Sequence, residues 1–312
     1  MNSHSRYILL LLILMFSLNQ CNKCIVRYVI EEEGGKPPEE HLENIIDLAG
    51  LDLETAKGLF AKLPEKNVLY FINEVDGKTY KFTEENGKLV CKLSGELGFA
   101  FDSKHACAFF WGTIEQPCLA FTYYKQINNR YQISENYILN DSTWMSIGQN
   151  SLPADVENIR LCGCSALLNQ TLYAVTLYEI KKNGLPNSGC LYKVYNQNTS
   201  NQSLFTNPTF TGAWHVEANK ILIDKNNHSF DLYQIERDLS GLLSLTLLTT
   251  DFATSTTPMH GEFFPTPVPM FYCPNETQSV YKISKGGGAF TPMEMPKEVK
   301  GKHLVIPFEE AL

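Results

Sequence analysis

Four of the seven histidines in this 312-residue chain stand beside carboxylates or next to short apolar runs. Asp102 is followed closely by His105, His215 by Glu217, and His260 by Glu262, while His303 opens the last apolar run. Imidazoles and carboxylates that converge on one channel bind divalent metals or form an acid/base pair. Paired carboxylates alone hydrolyse glycosides, which singles out Asp102, Glu217 and Glu262. The competing reading is that polar groups at strand ends are solvated or bonded to backbone. A second set is aromatic: Trp111 and Trp144, with Trp214, lie in or near loop-like sequence and suit stacking on sugar rings. Tryptophans equally suit wedges between packed sheets. The recognised catalytic motifs are absent: there is no G-x-S-x-G, no phosphate loop, no H-E-x-x-H and no dinucleotide fingerprint. Lys285-Gly-Gly-Gly288 sits between strand candidates and reads as a hairpin turn, and no cofactor is called for.

The elements that carry these residues repeat. Lys220–Ile235 reads as two short strands around a polar loop, and Asn67–Phe82, Ser165–Ile180, Pro269–Ile283 and, more loosely, Ala106–Ile127 follow the same pattern. The tyrosines Tyr80, Tyr124, Tyr178, Tyr233 and Tyr281 step by 44, 54, 55 and 48 residues. Strand-rich periods of this size are blade periods. A strand candidate follows each copy, and Gly98–Asp102, Ile159–Cys162, Ala213–Val216 and Gly261–Phe264 precede copies two to five. The expected fold is all-β: a five-bladed β-propeller over residues 66–312, with four-stranded blades. The first copy lacks its leading strand and His303–Pro307 is left over. That run is expected to pair with Val68–Ile72 and close the ring without open edges. A six-bladed ring using the N-terminal segment and a two-sheet sandwich are the alternatives.

Residues 1–22 read as a signal peptide, with Tyr7–Leu18 too short to span a bilayer. Residues 23–65 read as a linker and short helical segment. Ile25–Ile30 suits a strand, and Leu42, Ile45, Ile46, Ala49, Leu53, Ala56, Phe60 and Leu63 fall at helical spacing. Export agrees with six N-x-[ST] sequons at Asn140, Asn169, Asn198, Asn201, Asn227 and Asn275. Three of them, Asn169, Asn227 and Asn275, fall in the same polar loop of the repeat. It also agrees with nine cysteines. The nearest pairs are Cys107 with Cys118, and Cys162 or Cys164 with Cys190. A net charge of −8 argues against phosphate neutralisation and hence against nucleic acid. Nor does any basic amphipathic run favour stable membrane insertion. The sequence therefore predicts a secreted glycoprotein that recognises an extracellular protein or glycan. A secreted hydrolase with an axial carboxylate/histidine site and a structural coat protein are the alternatives.

Overall fold

The computed structural model describes residues 23–31, 39–44, 57–66, 68–85, 88–138, 143–152, 154–182, 190–196, 199–205, 212–224, 229–237, 239, 241, 243–254, 261–265, 270–274, 280–284, 286–293 and 304–309. The signal-peptide reading of residues 1–22 lies outside them. The described residues are all-β, with one 3-10 turn at Ser103–His105. Among them no helix is long and apolar enough to cross a membrane.

The strands follow in chain order: β1 (Lys23–Glu31) and β2 (Glu39–Asn44); β3 (Gly58–Lys62), β4 (Val68–Asn73), β5 (Lys78–Glu85) and β6 (Lys88–Glu96); β7 (Ala106–Thr113), β8 (Pro117–Ile127), β9 (Arg130–Ile138) and β10 (Trp144–Ser151). Next come β11 (Val156–Leu168), β12 (Thr171–Lys182), β13 (Cys190–Asn196) and β14 (Thr199–Phe205); β15 (Gly212–Glu217), β16 (Lys220–Asp224), β17 (Ser229–Arg237) and β18 (Leu243–Thr254). The chain ends with β19 (Gly261–Pro265), β20 (Met270–Pro274), β21 (Val280–Ile283), β22 (Gly288–Ala289), β23 (Thr291–Met293) and β24 (Leu304–Glu309). Five antiparallel meanders succeed one another: β3–β6, β7–β10, β11–β14, β15–β18, and β19–β21 with β23. The second and third meanders are joined by a two-residue bridge, Thr171 to Thr113 and Leu172 to Gly112. A further three-stranded sheet has the order β2-β1-β24.

The meanders pack face to face through a succession of cores. Tyr70 and Ile72 of the first meet Phe110, Leu119 and Phe121 of the second. The second turns Phe109 and Ala120 toward Leu161 and Ala174 of the third. Val175 and Leu177 then meet Ile221, Ile223 and Tyr233, and Leu222 and Leu232 meet Ile283 and Tyr281. Second strands are therefore buried on both faces, which is why β4, β8, β12 and β16 read as continuous apolar runs rather than alternating ones. The second-strand starts, Val68, Pro117, Thr171, Lys220 and Met270, step by 49, 54, 49 and 50.

Three expectations change. Gly58–Lys62 is a strand, not a helix: it pairs with Leu69–Asn73, and Ala61 and Leu63 are buried in the core between the first two meanders. A Cβ at Gly58 would run into the Ile72 carbonyl, so glycine permits this close approach. Glu39–Asn44 is also a strand, while residues 45–56 lie outside the described set. Second, Leu304–Glu309 pairs in parallel with Lys23–Tyr28, and not with Val68–Ile72, whose partners are β3 and β5. The leading strand that the first meander lacked in the sequence is β3, so no vacancy remained for the C-terminal run. Third, Gly98–Asp102 is not a strand but a connection, with Gly98 at φ 78°.

Candidate functional site

The first-to-second turns β3–β4, β7–β8, β11–β12 and β15–β16 lie at one end of their meanders, and two of the sequence's polar residues, His215 and Glu217, lie there. His215 is on β15, opposite Ile221, just before a bulge that offsets Glu217 against Lys220. Ala218 follows at φ 43°, left-handed, as the turn into β16. Its carbonyl accepts from the Leu167 amide at 2.7 Å and lies 3.1 Å from His215 Nε2. Its amide donates to Glu65 Oε1 of the β3–β4 turn at 3.3 Å. Ile114 N likewise donates to Gln170 O, joining the β7–β8 and β11–β12 turns. These bonds tie the end of four meanders together around Ala218.

His215 is 7% exposed, and its Nδ1 finds no hydrogen-bond partner among the described residues. Burial pushes its pKa down to about 4. The Ala218 carbonyl opposes that shift, the Lys62 charge adds to it, and Glu217 opposes it more weakly. The ring is therefore neutral at physiological pH. Glu217 pairs with Lys220 at 2.6 Å, both half-exposed. Asp102 lies on another connection, where it caps the 3-10 turn: Lys104 N donates to its Oδ1 at 2.9 Å. Its Oδ2 lies 3.8 Å from His105 Nδ1. The expected meeting of His215, Glu217 and Asp102 does not occur; each has a local backbone or ion-pair partner. Glu262 is on β19, with its side chain outside the described set, as are His260 and His303. Among the described residues no group of three or more His, Cys, Asp or Glu could hold a metal ion. Lys62, Glu65 and Ala218 were missed by sequence reasoning. No sequence pattern announces an alanine at positive φ in a turn.

The tryptophans are strand residues. Trp144 on β10 is buried, and its Nε1 donates to Thr79 Oγ1 of the first meander at 3.1 Å. It fills the wedge between two meanders and is not a loop platform. Trp111 on β7 is half-buried, edge-on to Tyr137 at 5.7 Å, with its Nε1 without a partner among the described residues. Trp214 packs beside Phe230 at 6.2 Å.

Asn169 is exposed at the β11–β12 turn, with Asn169 and Gln170 both at positive φ. Its loop is not the one shared by Asn227 and Asn275. Asn169 joins a first strand to a second, whereas residues 225–228 and 275–279 join second strands to third ones. The Ser165–Ile180 and Ala106–Ile127 copies were one strand out of step, because a first hairpin and a second hairpin give the same apolar–polar–apolar signal. Asn201 is on β14, opposite Val194; Asn140, Asn198, Asn227 and Asn275 lie outside the described residues.

Cys91, Cys107, Cys118, Cys162 and Cys164 form no disulfide among the described residues. On the β7–β8 ladder Cys107 faces Thr122 while Cys118 faces Trp111. Four ladder positions separate them by about 13 Å, beyond the roughly 7 Å a disulfide spans. Cys162 and Cys164 on β11 are separated from Cys190 on β13 by the whole of β12, roughly 10 Å of sheet. Burial pushes Cys118 up to about 12, and Cys107 well up, with Cys164 and Glu135 adding to the latter. Protonated buried thiols are the opposite of what a nucleophile requires.

No family model matches the sequence, and no curated protein matches it. Among solved structures the chain is similar to a candidate 6-phosphogluconolactonase from Bacteroides fragilis, at 10% identity and TM-score 0.41, covering 86% of this chain and 94% of that one. It is similar to an ACO/RPE65 chimera at 11% identity and TM-score 0.37, covering 74% of this chain and 57% of the chimera's length. Citrobacter koseri AztD is a third, at 10% identity and TM-score 0.35, with 86% and 82% covered. Similarity at this level does not bear on what the chain does.

Proposed function

We propose that the chain is an exported, N-glycosylated β-propeller that recognises an extracellular protein or glycan. The observation that carries this reading is the order in which the meanders meet. The first strands β3, β7, β11, β15 and β19 are neighbours in that sequence, and each successive pair of meanders shares a core. Sheets stacked face to face with their first strands side by side are blades around an axis. The β2-β1-β24 sheet supplies a sixth blade, because β24 neighbours β20 of the last meander. The ring then has six blades, one more than the repeat count.

The two ends of such a ring differ. At one end the first-to-second turns are hydrogen-bonded to one another around Ala218. The other end carries the second-to-third loops and the meander-to-meander connections, among them the capped turn at Asp102. Loops held on a rigid scaffold are where recognition concentrates, so ligand is assigned to that end. Recognition is favoured over hydrolysis because His215, Glu217 and Asp102 each serve a local structural bond.

The test uses the full chain expressed in a secretory pathway. Export with glycans on Asn169, Asn227 and Asn275 is expected by mass spectrometry of the medium. The protein is then offered to an array of glycans and extracellular ectodomains, and to fluorogenic glycosides. Saturable binding without turnover supports the reading. Turnover abolished by Glu262→Gln replaces it with the hydrolase, and retention inside the cell removes the exported assignment.

A further inference from the structure

The wedge between the second and third meanders opens at the loop end onto a group of rings and charges. His105 closes the 3-10 turn, and its ring lies 4.7 Å from that of Tyr124, tilted by 41°. Tyr124 meets Tyr131 edge-on at 6.0 Å. His105 is half-exposed and the two tyrosines are partly exposed. Tyr124 is on β8 and Tyr131 on β9, where the ladder pairs Tyr124 with Ile133 and Tyr131 with Gln126. All three rings therefore stand on hydrogen-bonded scaffold. Asp102 is fixed by its cap and by the bond from His105 N to its own carbonyl at 2.9 Å. Burial raises the Tyr124 phenol pKa, Tyr131 and Asp102 add to the rise, and Arg160 at the start of β11 opposes it.

We propose that His105, Tyr124 and Tyr131, with Asp102 beside them, form a saccharide-binding subsite. This deepens the recognition reading and rests on it. Pyranose rings offer an apolar C–H face and a rim of hydroxyls. Aromatic faces bind the first, while the Asp102 carboxylate, which keeps acceptor sites beyond its bond from Lys104 N, suits the hydroxyls. A protein partner fits less well. Among the described exposed large aliphatics, Val75, Leu93, Met145, Leu239, Leu247 and Leu248 lie on other elements, and Ile127 alone shares a strand with these rings. Site preorganisation supports the same assignment, since rings held on β-ladders lose little freedom when a ligand docks.

The experiment is a glycan array carrying neutral hexose, N-acetylhexosamine and uronate termini, read with the full-length protein. Any class bound by the wild type is followed by titration with the corresponding monosaccharide methyl glycoside. His105→Ala and Asp102→Asn are exposed substitutions, and asparagine keeps the cap. Each is expected to weaken binding at least ten-fold with an unchanged melting temperature, whereas Tyr124→Phe, which keeps the ring, retains binding. Unchanged glycan affinity in His105→Ala and Asp102→Asn overturns the subsite and leaves the recognition reading standing. A silent array with saturable binding to a protein ectodomain also overturns it and keeps that reading. A protein that binds neither removes both.

Discussion

His215 shows how one position decides between chemistry and architecture. In sequence it is an imidazole two residues from a carboxylate, the pattern of an acid/base pair. In the fold it is buried, bonded through Nε2 to a turn carbonyl, with Lys62, Glu217 and the Ala218 carbonyl as the groups that shift its titration. Its folded pKa lies near 4, below the unfolded value of about 6.5. Between those values the unfolded chain holds the extra proton, so stability falls as pH drops from about 6.5 to about 4 and levels off below. The loss reaches about 3 kcal/mol, from 1.36 kcal/mol per pKa unit. Thermal melts across this range are expected to show the slope in the wild type and its flattening in His215→Gln. An identical pH dependence in the two proteins would remove His215 from the account. Trp144 teaches the same lesson. Its neighbours Ser142 and Thr143 suggested a loop, yet the indole lies in the wedge and bonds Thr79. Trp144→Phe leaves the Thr79 hydroxyl buried without its donor. A loss of roughly 1–3 kcal/mol is expected in denaturant melts, whereas a solvent-facing platform would show almost none.

At the scale of elements, the strands were legible from Val68 onward because β-branched and aromatic residues dominate the runs and Asn, Asp or Gly closes the turns. Asn128 and Asn129 at φ 50° and 61° make the β8–β9 turn that their identity implies. What the pattern could not supply was the position of each hairpin within its meander. Second strands are buried on both faces, so neither period nor polarity tells a first hairpin from a second. That ambiguity moved the Asn169 turn to the wrong end of the sheet. The error before Val68 has a different cause. Leu53, Ala56, Phe60 and Leu63 fall at helical spacing, but the Phe60 ring packs tilted at 4.7 Å against Phe71 of β4, and Ala61 and Leu63 are buried in the core. Tertiary packing outweighs a spacing of four residues. Deleting residues 57–63 therefore strips β4 of its neighbour and removes two core side chains. The expected outcome is loss of the cooperative melt, where a dispensable helical cap would leave it intact. Circular dichroism melts of the deleted and complete proteins decide between them.

At the scale of the whole molecule, the two ends of the chain pair as the sequence predicts, but the partner of the C-terminal run is β1 and not Val68–Ile72. An open edge is costly, so two segments left without a partner are expected to fit each other. The leftovers were β1 and β24, not the first meander and β24. The register runs from Lys23 opposite Leu304 to Tyr28 opposite Glu309, in parallel. A parallel pair at the junction departs from the antiparallel meanders elsewhere, and it is the kind of pairing that two distant chain segments can make without a hairpin. Residues 304–309 thus hold β1 and, through it, β2. Removing them deletes a six-position ladder. At a net 0.5–1 kcal/mol per backbone hydrogen bond, the cost is about 3–6 kcal/mol, roughly 6–24 °C in melting temperature. Hydrogen exchange distinguishes the two closures. After truncation at Lys302, amides within 23–31 are expected to lose protection while those within 68–72 keep it, because β4 retains β3 and β5. Loss of protection within 68–72, with 23–31 unaffected, would restore the pairing with Val68–Ile72 and return β24 to the first meander.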